Sequence, residues 1–145
     1  MRIIVQRVTK AKCYINDKIF SEINNGYLLL VSFTNGDNLD TIKKAAKKII
    51  NLRIFEDDNQ KMNLNIKQVN GSLMSISQFT LYANTDNGNR PSFIDSLNPI
   101  EAEPLYKLFN QELINGGITT VTGIFGEHMD LDFINDGPVT ILLEF

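Results

Sequence analysis

The feature that most constrains the fold of this 145-residue sequence is a nearly unbroken apolar run from Tyr27 to Phe33. A run of this length is typical of a central strand that is buried on both faces. A similar run from Val139 to Phe145 predicts a second buried strand. Neither run approaches the roughly 20 residues that a membrane-spanning helix requires, so we expect no contact with a membrane. The sequence therefore predicts a sheet that is covered on both faces.

Shorter segments also have the alternation or the bounding turn residues of strands. They cover residues 2–9, 12–15, 18–20, 72–82, 118–125 and 128–134. Asn16-Asp17 separates two of them as a two-residue hairpin turn, although Asn-Gly or Asp-Gly would be a stronger signal. The four residues from Asn135 to Pro138 break the pattern before the last strand. Strands therefore outnumber helices.

Two segments have helical signals. Apolar residues in 40–53 recur at helical spacing and form one stripe. A second helix is predicted by Asn98 as the N-cap, Pro99 at the first helical position and Glu101 in a capping box. Pro104 conflicts with a regular first turn because it removes a backbone donor, so a start at Pro104 is the alternative.

Composition agrees with an ordinary globular protein, because 43% of the residues are apolar and 21% are charged. The length suits one domain, which we predict to span residues 1–145. Together the patterns predict a sheet-rich α/β fold. In this fold, mixed or antiparallel strands form a barrel-like or two-sheet core, and two main helices cover it. The segment Met1–Arg7 lacks the apolar centre of a signal peptide, which predicts a cytoplasmic protein.

The chain is acidic overall, with a net charge of −3 and a pI near 5.1. A molecule of this charge repels polyanions and is not a non-specific nucleic-acid coat of the usual basic kind. The one strong basic patch lies on the first predicted helix. It consists of Lys43, Lys44, Lys47 and Lys48. Two interpretations stay open, a solvated helix face and a contact with phosphates.

Motif rules identify no catalyst. The sequence has one histidine, His128, and one cysteine, Cys13, so it has no intrachain disulfide and too few ligands for a usual zinc site. We expect no metal and no other cofactor. A serine hydrolase would have to use His128 as its base, but no Gly-x-Ser-x-Gly elbow is present. His128 is interpreted as a partly exposed structural residue, and Cys13 as a small buried one.

Two segments stand out from this background. Ser77-Gln78-Phe79-Thr80 ends a predicted core strand just before the polar loop 83–97, where exposed N–H groups are suited to an oxyanion site. Gly137-Pro138 lies between two strands, and a prolyl bond in such a turn can be cis. Taken alone, the first is better explained as a strand end and the second as a turn.

Seven segments resemble the D-aminoacyl-tRNA deacylases, in the order in which that family carries them. They are Met1–Val8, Asn51–Asp57, Lys61–Leu64, Ser77–Tyr82, Arg90–Phe93, Ala102–Tyr106 and Asn135–Thr140. One tetrapeptide would be weak evidence, but seven ordered matches from end to end make coincidence an untenable explanation. An acidic residue is more usual in the family at the position of Asn84, and a small residue is more usual at the position of Glu127. Neither position lies in the two segments singled out above.

The resemblance implies a homodimer in which Gly137-Pro138 of each subunit, joined by a cis bond, enters the pocket of the other. Gly137 and Pro138 would present carbonyl groups to the substrate's α-amino group and exclude an L side chain. A residue without Cβ suits this role because it lets the backbone approach a ligand closely. The resemblance also implies that Phe125 and Met129 line the adenosine end of the pocket and that Arg7 braces the Gly-Pro loop.

The implied substrate is an ester between a D-amino acid and the 3′-terminal adenosine of tRNA, with glycine on tRNA-Ala as a further substrate. The implied role is chiral proofreading in translation. Backbone N–H groups at Ser77, Gln78, Phe79 and Thr80 would hold the carbonyl oxygen, and the 2′-hydroxyl of the adenosine would help to activate water. A nucleophilic Thr80 is the minority alternative.

Two other functions compete with this one. The first is a metal-free esterase that uses Thr80 on small esters, which should still hydrolyse a short aminoacyl ester without tRNA. The second is a nucleic-acid-binding module whose four clustered lysines contact phosphates, which should bind duplex DNA and hydrolyse no ester.

Overall fold

The computed structural model describes all 145 residues, Met1–Phe145, and contains eight strands and two α-helices. In chain order these are β1 (Arg2–Ile15), β2 (Lys18–Ile23), β3 (Gly26–Ser32), α1 (Leu39–Asn51), β4 (Arg53–Glu56), β5 (Met62–Asn65), β6 (Ser72–Ser77), α2 (Pro99–Asn115), β7 (Thr120–Thr122) and β8 (Asp130–Glu144). A four-residue 3₁₀ turn, Phe79–Tyr82, follows β6. Neither helix is both long enough and apolar enough to cross a membrane.

Six strands form one sheet in the order β2-β1-β3-β6-β7, with β8 paired along the other edge of β1. β1 is antiparallel to β2, β3 and β8, whereas β6 is parallel to β3 and β7. The sheet curves until β2 meets β7, where the Ser21 hydroxyl donates to the Thr122 carbonyl oxygen at 2.9 Å. The predicted sheet-rich α/β fold with a mixed, barrel-like sheet is confirmed. β4 and β5 form a separate antiparallel pair.

Buried side chains pack on both faces of the sheet, as the apolar run in β3 predicts. Tyr27, Leu29 and Val31 belong to the larger hydrophobic cluster, which includes buried residues of α1 and α2. Leu28 belongs to a smaller cluster, which gathers residues of β1, β2, β3 and β6 on the opposite face. Successive residues of a strand point to opposite faces, so one continuous apolar run supplies both clusters.

The β1–β2 hairpin turns at the predicted dipeptide. Asn16 and Asp17 have φ values of 52° and 60°, and a type I′ hairpin turn requires positive φ at both of its central residues. Asn and Asp adopt this conformation more readily than other non-glycine residues because their short side chains can form local hydrogen bonds. The predicted turn is confirmed.

The first predicted helix is confirmed as α1, which begins one residue earlier and ends two residues earlier than the predicted range 40–53. Its N-cap is Asn38, whose side-chain oxygen accepts hydrogen bonds from the N–H groups of Asp40 and Thr41. The buried stripe of α1 consists of Ile42, Ala45, Ala46, Ile49 and Ile50. The four lysines of the basic patch lie on the exposed side of the same helix.

The second predicted helix is α2, and it begins at Pro99 rather than at Pro104. The Asn98 side-chain oxygen accepts a hydrogen bond from the Glu101 N–H at 3.2 Å, so the predicted N-cap is confirmed. Pro104 lies inside the helix and leaves the Ile100 carbonyl without its usual donor. Ile100 is 86% exposed, so water can reach the surface next to this carbonyl.

Two predicted strands are shorter in the structure, and one strand pair was missed. The strand predicted over 72–82 ends at Ser77, because its neighbour β3 ends at Ser32 and offers no further partner. The strand predicted over 118–125 is reduced to Thr120–Thr122. The strands β4 and β5 lie on either side of the loop predicted at residues 57–59, but no strand was predicted there.

Candidate active site

A cavity of about 640 Å³ opens at the carboxyl ends of the parallel strands β3 and β6. Its walls are residues 31–33 and 76–79, parts of the loop 93–98, the first turn of α2, residues 125–129 and Leu131. Ligands of α/β sheets bind outside the carboxyl ends of strands, and the volume lies within the usual range for small-molecule sites. The cavity is therefore the candidate active site.

The structure brings five of the predicted site residues to this cavity. Ser77, Gln78 and Phe79 line the wall formed by the end of β6, and Phe125 and Met129 line the wall before β8. The four others do not line it: Thr80 follows Phe79 in the 3₁₀ turn, and Arg7, Gly137 and Pro138 lie in β1 and β8.

The backbone N–H groups at the end of β6 differ in whether they already have a hydrogen-bond acceptor within the protein. The Gln78 N–H donates to the Val31 carbonyl oxygen at 2.7 Å, so it is not free for a ligand. Phe79 and Thr80 begin the 3₁₀ turn, where no side chain caps the N–H groups. The first N–H groups of a helix have no acceptor inside it. The Phe79 and Thr80 N–H groups are therefore the donors that this end of β6 can offer to an oxyanion.

The Thr80 hydroxyl has no partner that could activate it. Its oxygen accepts a hydrogen bond from the side-chain amide of Gln78. An amide N–H is a donor and cannot take up the hydroxyl proton, whereas a nucleophilic hydroxyl needs an adjacent base. This geometry argues against the minority mechanism.

Two of the aromatic rings that line the cavity contact each other. Phe79 and Phe93 meet edge to face, with ring centroids 5.0 Å apart and an interplanar angle of 67°. Phe79 is 57% exposed, so its ring is open to solvent. Phe93 lies in the long loop and was not singled out as a site residue. Its only sequence signal is the segment Arg90–Phe93, which carries part of the family resemblance.

The wall before β8 is tightly packed. Phe125 contacts Tyr106 with ring centroids 5.8 Å apart, and the Tyr106 hydroxyl donates to the buried Ser75 carbonyl oxygen at 2.6 Å. Burial raises the pKa of Tyr106, so its hydroxyl stays protonated as a donor. A Cβ on Gly123 would lie only 2.2 Å from the Met129 sulfur, so Met129 packs directly on the backbone. These contacts hold Phe125 and Met129 at the cavity.

β8 carries a bulge opposite Arg7. The aligned pairs on either side are Gln6 with Thr140 and Val8 with Asn135. Arg7 alone therefore faces the four residues 136–139. The Asn135 side chain closes the base of the bulge by donating to the carbonyl oxygens of Arg7 and Val139, each at 3.0 Å. The predicted break at 135–138 is thus a bulge inside one long strand.

Gly137 and Pro138 occupy the exposed part of this bulge and are joined by a cis peptide bond. Gly137 has a φ of 113°, a value that residues with a side chain rarely adopt. A Cβ at this position would lie 2.9 Å from Val139 Cγ2 and 3.1 Å from an Arg7 guanidinium nitrogen. The backbone conformation and the close neighbours therefore both require glycine.

Arg7 lies behind the bulge with 5% of its surface exposed. Its Nη1 donates to the Ile54 carbonyl oxygen at 2.7 Å, and its Nε lies 2.8 Å from a carboxylate oxygen of Asp136. A third nitrogen, Nη2, lies 3.8 Å from Glu56. Arg7 is thus a buried cation in contact with Asp136, the first residue of the bulge.

The one histidine and the one cysteine of the chain form no catalytic pair. His128 lies at the rim with a side chain that is 92% exposed, 3.6 Å from Asp130. It is therefore more exposed than the partly exposed structural residue predicted. Cys13 is buried in the smaller hydrophobic cluster, as predicted, and burial raises its pKa. No three His, Cys, Asp or Glu side chains are arranged to hold a metal ion.

The chain matches the family described as D-Tyr-tRNA(Tyr) deacylase over residues 4–144. A relative from Lactobacillus gasseri named D-aminoacyl-tRNA deacylase is 50% identical over 144 residues, which cover 99% of each chain. A relative of the same name from Listeria monocytogenes is 46% identical and covers 99% of this chain and 95% of its own. The protein belongs to this deacylase family, and the resemblance read from the sequence is confirmed.

Two solved structures have the same fold. The c-Myc DNA unwinding element binding protein superposes with a TM-score of 0.94 at 32% identity, covering 100% of this chain and 99% of its own. A probable eukaryotic D-amino acid tRNA deacylase superposes with a TM-score of 0.83, covering 98% of this chain and 97% of its own. At 15% identity the second likeness supports the fold alone.

Proposed function

We propose that the protein hydrolyses the ester bond of D-aminoacyl-tRNA and releases the free D-amino acid and the tRNA. Membership in the deacylase family supports this activity. The structural observation that carries it is the N–H group of Phe79, which lines a cavity of about 640 Å³, together with that of Thr80, the next residue in the 3₁₀ turn. By this hydrolysis the enzyme proofreads the chirality of the amino acids used in translation. Its one deacylase domain spans residues 1–145, and it acts in the cytoplasm.

The chemistry needs a water nucleophile, a stabilised oxyanion and a leaving ribose hydroxyl. When water attacks the ester carbonyl, negative charge develops on the carbonyl oxygen, which accepts hydrogen bonds from the Phe79 and Thr80 N–H groups. The 2′-hydroxyl of the terminal adenosine helps to activate the water. The bond between the carbonyl carbon and the ribose 3′ oxygen then breaks. The 3′ oxygen takes up a proton and leaves as the 3′-hydroxyl of the free tRNA. No side-chain nucleophile takes part.

The active unit is a homodimer in which each Gly137-Pro138 bulge completes the partner's cavity. The bulge is exposed and does not line the cavity of its own chain, which is what a contribution to a second subunit requires. Large apolar side chains are also exposed, including Ile94 at 84%, Ile100 at 86% and Leu142 at 57%. A dimer interface would remove such side chains from water.

The enzyme rejects L-amino acids by steric exclusion and does not need an additional attractive contact with the D side chain. The carbonyl groups of Gly137 and Pro138 accept hydrogen bonds from the α-ammonium group, and their backbone fills the space that an L side chain would need. Glycine has no side chain to exclude, so glycine mischarged on tRNA-Ala is also a substrate. Phe125 and Met129 contact the terminal adenosine from the opposite wall.

Removal of the substrate 2′-hydroxyl should slow hydrolysis more than removal of the Thr80 hydroxyl. We expect Thr80→Ala to retain measurable deacylation, because the only partner of this hydroxyl is the Gln78 amide. A D-aminoacyl-tRNA that ends in 2′-deoxyadenosine should be hydrolysed poorly by the wild type. Single-turnover rates on both substrates measure the two effects. The threonine mechanism would be established instead by two results together. A folded Thr80→Ala dimer would lose all deacylation, and the wild type would hydrolyse the deoxy substrate or a short aminoacyl ester normally.

A second candidate function is binding to duplex DNA. It is favoured by the 32% identity to the c-Myc DNA unwinding element binding protein and by the four exposed lysines of α1. The net charge of −3 opposes broad affinity for nucleic acid. Binding of duplex DNA as tight as that of tRNA, together with no ester hydrolysis, would support this candidate over the deacylase.

A further inference from the structure

α1 presents a face of positive charge that no residue of the protein neutralises. This lysine face consists of Lys43, Lys44, Lys47 and Lys48. All four side chains are exposed, and none of them forms an ion pair with a carboxylate. The only acidic residue of the helix is Asp40, in its first turn.

The clustering is unusual for the charge balance of the molecule. Taking these four lysines from the 14 basic residues leaves ten basic against 17 acidic residues on the rest of the chain. Within the face, Lys43 and Lys47 are four residues apart, as are Lys44 and Lys48, and like charges at this spacing destabilise a helix. Lys48 in the last turn gains from the helix dipole, but the two like-charged pairs remain repulsive. A bound polyanion would relieve this repulsion.

The lysine face is close to the cavity along the chain. α1 begins at Leu39, six residues after the cavity residue Phe33, and α1 packs beside α2, whose first turn also lines the cavity. At 1.5 Å per residue, the face extends from about 6 to about 14 Å along the helix axis from Leu39. The chain thus leads directly from the cavity wall into the helix that carries the lysine face.

We propose that the lysine face binds the phosphate backbone in the duplex part of the tRNA acceptor arm. This inference rests on the proposed function, because it places the 3′-terminal ester in the cavity. Lysine contacts to phosphates position a nucleic acid without reading its sequence. They let an acidic protein hold a polyanion through one local patch and accept tRNAs that differ in sequence.

The test compares binding of uncharged tRNA to the wild type and to K43Q/K44Q/K47Q/K48Q by fluorescence anisotropy over a range of salt concentrations. Lys and Gln have similar helix propensities, so α1 should remain folded. We expect Kd to rise by about tenfold or more, and the slope of log K against log salt concentration to fall by about 3, since each lost phosphate contact removes roughly 0.7–0.9. Hydrolysis of a D-aminoacylated CCA trinucleotide, which has no duplex, should be unchanged.

The control is K10Q/K61Q/K67Q, which removes three exposed lysines that lie outside α1. If only net charge matters, this variant should lose about three quarters of the same salt slope; we expect it to bind tRNA nearly as the wild type does. The proposal would be overturned by any of three results. The first is an equal loss of salt slope per removed charge in both variants, and the second is unchanged tRNA binding by the quadruple variant. The third is a preference for anionic vesicles or duplex DNA over tRNA that depends on the four lysines.

The two proposals fail in different ways. If the wild type hydrolyses D-aminoacyl-tRNA while the quadruple variant binds and hydrolyses it equally well, the lysine face is wrong and the deacylase function stands. If the wild type hydrolyses neither D-aminoacyl substrate but binds tRNA through the four lysines, the deacylase function is wrong and the binding surface stands.

Discussion

Phe79→Pro should lower kcat for D-aminoacyl-tRNA hydrolysis by about 10²- to 10³-fold, the usual effect of removing one oxyanion donor. Proline has no backbone N–H, so this substitution deletes the proposed donor together with the ring. Phe79→Ala deletes the ring alone and keeps the donor. Losing the edge-to-face contact with Phe93 is worth about 0.5–1.5 kcal/mol, so the alanine variant should lose at most about tenfold. The ratio of the two rates isolates the N–H group.

The local backbone can accept this proline. Proline fixes φ near the value of a 3₁₀ turn, and the first position of a helix tolerates it because the N–H there is unpaired. The preceding residue, Gln78, has φ −145° and ψ 78°, outside the α region that a following proline disfavours. The measurement is kcat and KM for both variants, with thermal melting to confirm the fold. Equal losses in the two variants, or full activity of Phe79→Pro, would contradict the backbone mechanism.

Gly137→Ala should reduce deacylation by at least about 100-fold, since a displacement near 1 Å at a reacting centre can cost that much. The new Cβ would lie 2.9 Å from Val139 Cγ2 and 3.1 Å from the Arg7 guanidinium, so the bulge must shift. Gly36→Ala is the matched control. Gly36 also has a positive φ, 94°, but a Cβ there meets no atom within 4 Å, so this variant should stay active.

Subunit exchange then shows whether the bulge acts in the other subunit. Homodimers of Gly137→Ala lack a correct bulge, and homodimers of Phe79→Pro lack a correct cavity. A heterodimer unites an intact cavity with the partner's intact bulge, so an equal mixture should recover about a quarter of the wild-type sites by random pairing of a two-fold dimer. No recovery in a mixture shown to contain heterodimers, or a fully active monomer by light scattering, would contradict action in trans.

The sequence predicted the central strand β3 well because local patterns were sufficient there. The prediction of a second buried strand over Val139–Phe145 was wrong, because β8 pairs only with β1 and leaves Leu142 57% exposed. The run from Tyr27 to Phe33 has apolar residues at both odd and even positions, and burial on both faces of β3 follows from that alone. The turn at Asn16-Asp17 and the N-cap at Asn98 depend on side chains within three residues, so they too could be read locally.

Features that depend on distant partners could not be predicted in this way. Alternation continues past Ser77, but the strand stops there because β3 ends at Ser32, a fact that lies outside the local pattern. The cavity position of Phe93 depends on the path of a long loop without periodicity. The close neighbours of Gly137 come from β1 as well as β8, and only the family resemblance pointed to this residue as functional.

The most direct test of the account is deacylation of matched D- and L-aminoacyl-tRNA, charged with the same amino acid on the same tRNA, by the purified protein. We predict rapid release of the D-amino acid, while the L ester decays no faster than it does without enzyme, because the Gly137-Pro138 backbone leaves no space for an L side chain. Hydrolysis of both esters at similar rates, or of neither ester by a folded dimer, would contradict it.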